Sequence, residues 1–405
     1  MVVEGTVIVA DDRDPVARRH RSRSFADGST CGTTLPLSSS PPWRACEVAL
    51  RVVVAGWIGS TNLGDELVFA GMRRLLERRG IRPVAVSQDP AATLADHGVN
   101  AVSGTDPYAI ARAIGQADAV ILGGGGLLQD DSSVLNLPFH LSRVALARRR
   151  RTPFAGVGLG VGGLSTTLGR SLVRRAMRSA VAISVRDQPS AELLAEVGVP
   201  GAVPAADTAF ALPAPAAAAE DRLVVCLRRW GGPGSRLPAS LQGDPTPQPQ
   251  VEVLARSLDA SAEALGLAVR FVAFQRDRDD ALHRRVAQHM RSSVSFATPG
   301  LSTVLEEVAA SRAVISMRYH GGIAATMAGR PVVLIDYASK VAGLAADLGQ
   351  GARLHAWDPQ ELAAIPSSLA RVLDHASDVE AARDRLERRQ TGNERVIDGL
   401  LDVAR

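Results

Sequence analysis

The chain contains 405 residues, of which 46% are hydrophobic and 22% charged, a composition typical of a folded globular protein. This length exceeds that of one ordinary hydrophobic core, so two domains are expected. The net charge of +4 comes without long basic tracts, so the composition does not indicate nucleic-acid binding. No apolar run reaches the roughly 18 residues of a membrane span, and the N-terminus lacks the charged-then-apolar order of a signal peptide.

Three cysteines, Cys31, Cys46 and Cys226, are scattered through the chain. Their spacing fits neither a zinc site nor a disulfide framework. We therefore expect no bound metal and a reducing, cytoplasmic environment.

Residues 1–48 are rich in Arg, Ser, Pro and Asp and contain a Ser-Ser-Ser-Pro-Pro run. Such a segment buries too little apolar surface to offset the entropy of ordering it. We interpret it as a disordered extension, or as the product of a start codon assigned too early.

From residue 50 onward, short apolar runs alternate with helical patterns. The predicted strands of the first series cover residues 50–56, 83–87, 119–122, 154–158 and 180–185. Strands that alternate with helices predict a parallel sheet of βαβ units, here a Rossmann-like domain over residues 49–212. Asp65 is the expected N-cap of the helix that follows the first strand.

A second series begins after a Pro- and Ala-rich linker at residues 213–221. Its predicted strands cover residues 223–227, 269–274, 313–316 and 331–335. They indicate a second Rossmann-like domain over residues 222–372, interrupted by a long Gly- and Pro-rich loop at 231–250 and followed by a C-terminal helix over 373–405. The expected fold is α/β, with two Rossmann-like domains facing a cleft in a GT-B-like architecture.

The basic residues have an unusual composition, because Lys340 is the only lysine among 46 Lys and Arg. A compact ammonium group suits a small anion that a planar guanidinium fits less well, although codon chance is the alternative. Two further cations, Arg228 and Arg229, follow the first strand of the second series. At least one of them is expected to face the cleft.

His320 follows Arg318 at the end of a predicted strand and begins a glycine- and alanine-rich helix. The positive end of a helix dipole favours the neutral form of an imidazole, whose ordinary pKa suits acid–base work. We therefore expect His320 to be functional.

Several residues of the first series also follow strands, at the edge where α/β sheets bind ligands. Gly124 and Gly125 belong to a run of four glycines. Without side chains, the backbone of this run can approach an anion or a sugar; the alternative is that the glycines only allow tight packing of the strand against the following helix. Asn62 and Asp65 follow the first strand. Two roles are open for Asp65: it contacts substrate, or it serves only as the N-cap of the helix. Arg186 reaches the cleft or pairs with its neighbour on the surface.

An ordered set of motifs resembles the polysaccharide pyruvyl transferase family. It comprises Gly-Trp-Ile-Gly at 56–59 with Asn-Leu-Gly-Asp-Glu at 62–66, and the segments 123–130, 185–190, 206–210, 227–230, 318–321 and 336–340. Each motif alone is modest, but the ordered series is specific and spans about residues 50 to 345. The similarity is greatest to CsaB-like members.

The resemblance implies transfer of the enolpyruvyl group of phosphoenolpyruvate to two hydroxyls of one sugar, with phosphate release. It implies that Arg318, Lys340 and one of Arg228 or Arg229 bind the anionic co-substrate, without a cofactor. His320 would be the acid that protonates the methylene carbon or the base on the attacking hydroxyl.

The expected acceptor is a lipid-linked saccharide of a cell-wall or exopolysaccharide precursor. The arginine run at residues 148–151 is either a solvated helix end or a contact with the inner face of the membrane. Two alternatives remain: a GT-B nucleotide-sugar glycosyltransferase, and a catalytically inactive binding member of the family.

Overall fold

A computed structural model describes residues 50–130, 133, 135–229, 246–336 and 340–405, without the side chain of Lys340. The extension at 1–48, most of the loop at 231–250 and the predicted role of the Lys340 ammonium therefore lie outside the described residues. Residues 48–405 form one compact unit, and the predicted division of this unit into two domains and a terminal helix stays a prediction.

Within the described residues, the first sheet has seven parallel strands in the order β3-β2-β1-β4-β5-β6-β7. The strands are β1 (Val52–Ile58), β2 (Val84–Ser87), β3 (Ala101–Ser103), β4 (Ala119–Leu128), β5 (Phe154–Val161), β6 (Ile183–Val185) and β7 (Val203–Pro204). The helices between them are α1 (Leu63–Glu77), α2 (Pro90–His97), α3 (Pro107–Gly115), α4 (Asn136–Arg150), α5 (Thr167–Met177) and α6 (Gln188–Glu196). A 3-10 helix at Thr208–Ala211 ends this half.

The second sheet has six parallel strands in the described part of the chain, in the order β10-β9-β8-β11-β12-β13. These are β8 (Arg222–Cys226), β9 (Ala268–Val272), β10 (Val294–Ala297), β11 (Ala313–Ser316), β12 (Val332–Asp336) and β13 (Ala352–Ala356). The helices are α7 (Gln248–Leu265), α8 (Arg276–Gln288), α9 (Val304–Ala309), α10 (Tyr319–Met327), α11 (Lys340–Leu348), α12 (Pro359–Ala363), α13 (Ile365–Leu373) and α14 (Ala376–Ala404). In order along the chain, these six strands have the 3-2-1-4-5-6 arrangement of a Rossmann sheet.

Two local expectations were wrong. The four-glycine run does not follow β4 but lies inside it, where Gly124 and Gly125 have φ of 75° and 78° and the pairing with β5 shifts register. Asp65 is not the N-cap of α1. That place belongs to Asn62, whose side chain accepts the Gly64 N–H at 3.3 Å, so Asp65 lies in the first turn of the helix.

Helix α14 joins the two halves. Near its start, Val379 and Leu386 pack into the core of the second sheet, whereas Ile397 and Leu400 pack into the core of the first. Leu67 of α1 joins the core of the second sheet, together with Phe210. Apolar contact therefore continues across both halves, which fixes the carboxyl edges of the two sheets near each other.

Within the described residues, no helix is both long and apolar enough to cross a membrane.

Candidate functional site

A pocket opens between the carboxyl edges of the two sheets. Its lining residues come from both halves of the chain: Asn62, Asp65, Gly126, Arg186, Arg228, Phe274, Arg318, Tyr319 and His320. Each lies near the carboxyl end of a strand or in the turn or helix start that follows one, as expected for a ligand site in parallel α/β sheets. The two halves contact directly here, because the N–H of Leu63 at the start of α1 donates to the carbonyl of Phe274 after β9 at 2.8 Å.

Arg318 is held by a buried carboxylate. Its guanidinium donates through Nε to both oxygens of Asp279 at 3.1 Å, and through Nη2 to Oδ1. Asp279 is fully buried and also accepts the N–H groups of Phe274 and Gln275 at 3.0 and 2.8 Å. Because Asp279 in the first turn of α8 is itself held by the backbone between β9 and α8, Arg318 is fixed in orientation before any substrate binds.

Arg186 is fixed in a similar way from the first half. Its Nε donates to Asp187 at 3.2 Å, and its guanidinium carbon lies 4.3 Å from the ring centroid of Tyr319. The pair is buried, so the interpretation as a surface ion pair was wrong. Burial alone would lower the pKa of Arg186, but Tyr319, Asp187 and Asp207 outweigh it and the pKa is raised.

The space for Arg186 depends on Gly160 of β5. A Cβ at this position would lie 2.5 Å from the guanidinium carbon, closer than any nonbonded contact allows. The glycine-rich stretch of β5 therefore makes room for a cation at the pocket wall.

His320 is the second residue of α10, as the sequence predicts, and its ring is largely buried. Its Nε2 lies 3.5 Å from Oδ2 of Asp207, while its Nδ1 lies over Gly64 of α1. Burial would raise the pKa of Asp207, but His320, Arg186 and the Ala209 N–H outweigh it, so the pKa of this carboxyl is lowered. A carboxylate therefore stands behind the imidazole.

Asn62 and Asp65 form one polar unit at the start of α1. The Asn62 Nδ2 donates to Asp65 Oδ2 at 2.6 Å, and Oδ1 of Asp65 lies 3.4 Å from a Cβ built at Gly125. Asp65 therefore lies beside the glycine run and lines the pocket together with Gly126.

Positive charge accumulates on the side of the second sheet. Burial lowers the pKa of Arg278, and the charges of Arg228 and Arg318 lower it further, whereas Asp277 opposes them. Arg229 contributes more weakly to the same effect. Several guanidinium groups near one another indicate a place where an anion is favoured.

The structure brings most of the predicted site residues together. Asn62, Asp65, Arg186, Arg228, Arg318 and His320 all line the pocket. Of the two adjacent arginines it is Arg228 that does so, and of the glycine run it is Gly126 rather than Gly124 or Gly125. The roles of all these residues remain predictions.

Sequence reasoning missed four contributors: Asp207, Asp279, Arg278 and Tyr319. Asp207 lies in the 206–210 motif, which marked the segment without indicating a role. Asp279 and Arg278 lie in the charged run 276–280, whose pattern is that of an ordinary solvated helix start. Nothing in the sequence distinguishes the fully buried Asp279 from its exposed neighbour Asp277.

Clusters of three or more His, Cys, Asp or Glu side chains with metal-site geometry do not occur among the described residues.

A family model described as polysaccharide pyruvyl transferase matches residues 62–339, well over half of the chain, and this range includes the whole pocket lining. The chain belongs to the polysaccharide pyruvyl transferase family. The resemblance seen in the motifs is thereby confirmed, and the protein is a transferase. No curated protein sequence matches the chain.

Solved structures with a similar fold include HepE from Anabaena in complex with UDP-glucose, with a TM-score of 0.57 and 14% identity over 87% of this chain and 100% of that one. MnaA from S. aureus with UDP has a TM-score of 0.57 and 13% identity over 83% of this chain and 95% of that one. The glycosyltransferase SnogD from Streptomyces nogalater has a TM-score of 0.53 and 16% identity over 88% of this chain and 100% of that one. These likenesses confirm the GT-B-like α/β fold of this pyruvyl transferase family member.

Proposed function

We propose that the protein transfers the enolpyruvyl group of phosphoenolpyruvate to two hydroxyls of one sugar in a polysaccharide precursor, forming a cyclic ketal. The observation that carries this proposal is the convergence of Arg186, Arg228 and Arg318 on one pocket that also contains a histidine. Phosphoenolpyruvate presents a phosphate and a carboxylate, and each charge-assisted hydrogen bond to it contributes about 1.5–3 kcal/mol.

The arginines are suited to this substrate because they are already oriented. Arg318 is anchored by Asp279 and Arg186 by Asp187, so neither loses much side-chain freedom when the anion arrives. A guanidinium also matches the two-oxygen geometry of a carboxylate or phosphate. The sequence-based role of Lys340 as a further cation remains part of the proposal.

The chemistry requires one proton at the methylene carbon. In our proposal the His320 imidazolium protonates C3 of phosphoenolpyruvate, C2 becomes oxocarbenium-like, and a sugar hydroxyl forms a bond to C2 while its proton passes to the imidazole. The C2–O bond to phosphate then breaks with its electron pair on phosphate. The second hydroxyl attacks C2, and its proton leaves with the phosphate.

We also propose that the acceptor is linked to a lipid. The arginine run at residues 148–151 ends α4, which connects two parallel strands and therefore ends at the amino edge of the sheet, opposite the pocket. Contact of this run with a membrane would therefore direct the pocket away from the lipid surface.

The test measures phosphate release by the full-length protein from phosphoenolpyruvate, with and without a polyprenyl-diphosphate-linked N-acetylamino sugar. We expect release that depends on the acceptor, and a product with the methyl signal of a ketal in its NMR spectrum. A parallel measurement compares the melting shifts caused by phosphoenolpyruvate and UDP-glucose. A shift with UDP-glucose alone would contradict the proposal and support the glycosyltransferase alternative.

Arg228 and Arg229 provide a matched pair of variants. Arg228→Gln should reduce the melting shift caused by phosphoenolpyruvate and lower kcat/KM by at least about tenfold, the effect of losing about 1.4 kcal/mol of binding. Arg229→Gln makes the same substitution at the next residue, which does not line the pocket, so its effect should be smaller. Equal effects would contradict the placement of Arg228 at the anion.

A further inference from the structure

A buried carboxylate faces the ring of His320. Asp207 is 2% exposed, and its Oδ2 lies 3.5 Å from Nε2 of the imidazole. Both atoms are enclosed, and within the described part of the chain neither makes a regular hydrogen bond. Buried polar atoms nearly always find partners, and hydrogen bonds at catalytic groups are often long before substrate binds. Each of these atoms is therefore the partner that the other requires.

The opposite side of the ring borders the pocket. A Cβ at Gly64 would lie 2.2 Å from Nδ1, so the ring packs directly on the backbone of α1. Gly64 lies between Asn62 and Asp65, which both line the pocket. With Nε2 directed at Asp207, Nδ1 is the nitrogen that remains for substrate.

The backbone that carries Asp207 is held from two sides. On the side of α1, the Thr208 hydroxyl donates to the Val68 carbonyl at 2.8 Å. On the side of α14, Gln390 donates to the carbonyl of Asp207 itself, and Asn393 donates to that of Ala206 at 2.9 Å. A carboxylate on such a support has little freedom to move away from the ring.

Asp207 does more than cap the 3-10 helix that follows it. Its Oδ1 already accepts the Ala209 N–H at 3.0 Å, which satisfies the requirement for a cap. Its Oδ2 is directed elsewhere, towards His320.

We propose that Asp207 is a positioning residue that holds the Nε2–H form of His320 and stabilises its imidazolium, so that Nδ1 is the atom that transfers protons. This inference rests on the proposed pyruvyl transfer and specifies how its acid–base group works. The carboxylate does not itself take up the proton, which moves only between Nδ1, the methylene carbon and the attacking hydroxyl.

Charged groups from several elements line the pocket together with His320. The titratable and charged groups that face it come from several elements: Asp65 of α1, Arg186 after β6, Asp207, Arg228 after β8, Arg318 after β11 and the adjacent Tyr319. Three of these are guanidinium groups, which oppose a positive charge on the imidazole. The carboxylate behind the ring offsets that repulsion while the arginines remain available to substrate.

The experiment has one readout that is independent of activity. In full-length protein with 15N-labelled histidine, we expect the neutral form of His320 to carry its proton on Nε2, with the signal assigned by its loss in His320→Gln. A proton on Nδ1 in the wild type would overturn the proposal. Because this readout needs no substrate, the dyad can be supported even if phosphoenolpyruvate proves not to be the donor.

The second readout is kinetic. Asp207→Asn should lower kcat by on the order of 10²–10⁴-fold with little change in KM for phosphoenolpyruvate. The pH above which turnover falls should move to lower values, because removal of the carboxylate disfavours the imidazolium.

The control is Asp259→Asn. Asp259 is also buried, at 4% exposure, and accepts the N–H groups of Arg291 and Ser292, and none of these residues lines the pocket. It should lose stability while the kcat of the folded protein and its pH profile stay unchanged. If Asp207→Asn behaves like this control, its role is only structural and the proposal fails.

Discussion

At the scale of single residues, the site depends on the absence of side chains as much as on their presence. Gly64 is the second residue of α1, and glycine in a helix is usually less favourable than alanine. Its hydrogen is nevertheless required, because a methyl group would overlap both Nδ1 and Cγ of His320. A local cost in helix stability thus makes the contact between the two halves possible.

We predict that Gly64→Ala lowers kcat by about 10²-fold, because a catalytic group displaced by about 1 Å loses that much. The matched control is Gly399→Ala in α14, another helical glycine whose added Cβ meets nothing within 4 Å. It should raise the free energy of unfolding by up to about 1 kcal/mol and leave kcat unchanged. Steady-state kinetics of both variants measure kcat, and urea unfolding measures their free energy of unfolding. Wild-type kcat in Gly64→Ala would show that the His320 ring tolerates displacement.

The residues that the sequence could identify are those at strand ends. Arg186, Arg228 and His320 each follow an apolar run, and the carboxyl edge of a parallel sheet is a fixed place in the fold. Asp207 and Asp279 could not be given roles in this way. Their function depends on burial against a side chain from elsewhere in the chain, namely His320 and Arg318, and no local pattern encodes that contact.

At the scale of elements, α14 extends the fold beyond its two sheets. The sequence predicts its helical character and its apolar spacing but not its destination. Gln390 and Asn393 are buried at 5% and 0% exposure, although in a charged helix such residues usually face solvent. Their hydrogen bonds to the segment before the 3-10 helix explain the burial and place α14 directly behind the site.

We predict that Asn393→Leu lowers the free energy of unfolding by about 3 kcal/mol. The change leaves the Ala206 carbonyl, the Gln390 amide and the Ser184 hydroxyl without their partner, and each such buried group costs about 1–3 kcal/mol. Thr391→Ala, at an exposed position of the same helix, should stay within about 0.5 kcal/mol of the wild type. A similar small effect in Asn393→Leu, measured by urea unfolding, would mean that water replaces these bonds.

The extent of the strands was predicted less well than their order. The pattern indicates β4 and β5, but glycine-rich stretches are read as turns, and in the structure both strands continue through theirs. The short edge strands β3, β7, β10 and β13 were missed because two to five residues, many of them partly exposed, lack a distinctive pattern. The central strands are recognisable because both of their faces are buried, so they appear as continuous apolar runs.

At the scale of the whole molecule, burial of two histidines makes the fold sensitive to mild acid. Burial, reinforced by Arg143, lowers the pKa of His140 to about 3. Burial likewise lowers the pKa of His283 to about 3, and the Nε2 of this ring accepts the Leu227 N–H at 3.1 Å, which only a neutral imidazole can do. Both rings are therefore neutral in the folded protein at pH values where an unfolded chain binds protons.

The direction of the effect follows from these pKa values. Between about pH 6.5 and pH 3 the unfolded state binds more protons at these two rings than the folded state, so stability is full above pH 6.5 and is lost as the pH falls. At pH 5 each ring should lower the free energy of unfolding by about 2 kcal/mol relative to pH 8, and the two together by about 4 kcal/mol. Buried carboxyls whose pKa is lowered, such as Asp207, contribute to acid unfolding only below about pH 4 and do not affect this interval.

We predict that His283→Gln, which retains an acceptor for the Leu227 N–H but cannot bind a proton, halves the difference in unfolding free energy between pH 8 and pH 5. Urea unfolding at both pH values measures this difference, and the exposed His289→Gln serves as the control at the end of the same helix. The variant should be less stable than the wild type at pH 8, because glutamine fills the site of the ring less well, and the two should converge as the pH falls. An unchanged difference would mean that His283 becomes protonated without loss of the fold. Its buried position and its hydrogen bond from the Leu227 N–H argue against that outcome.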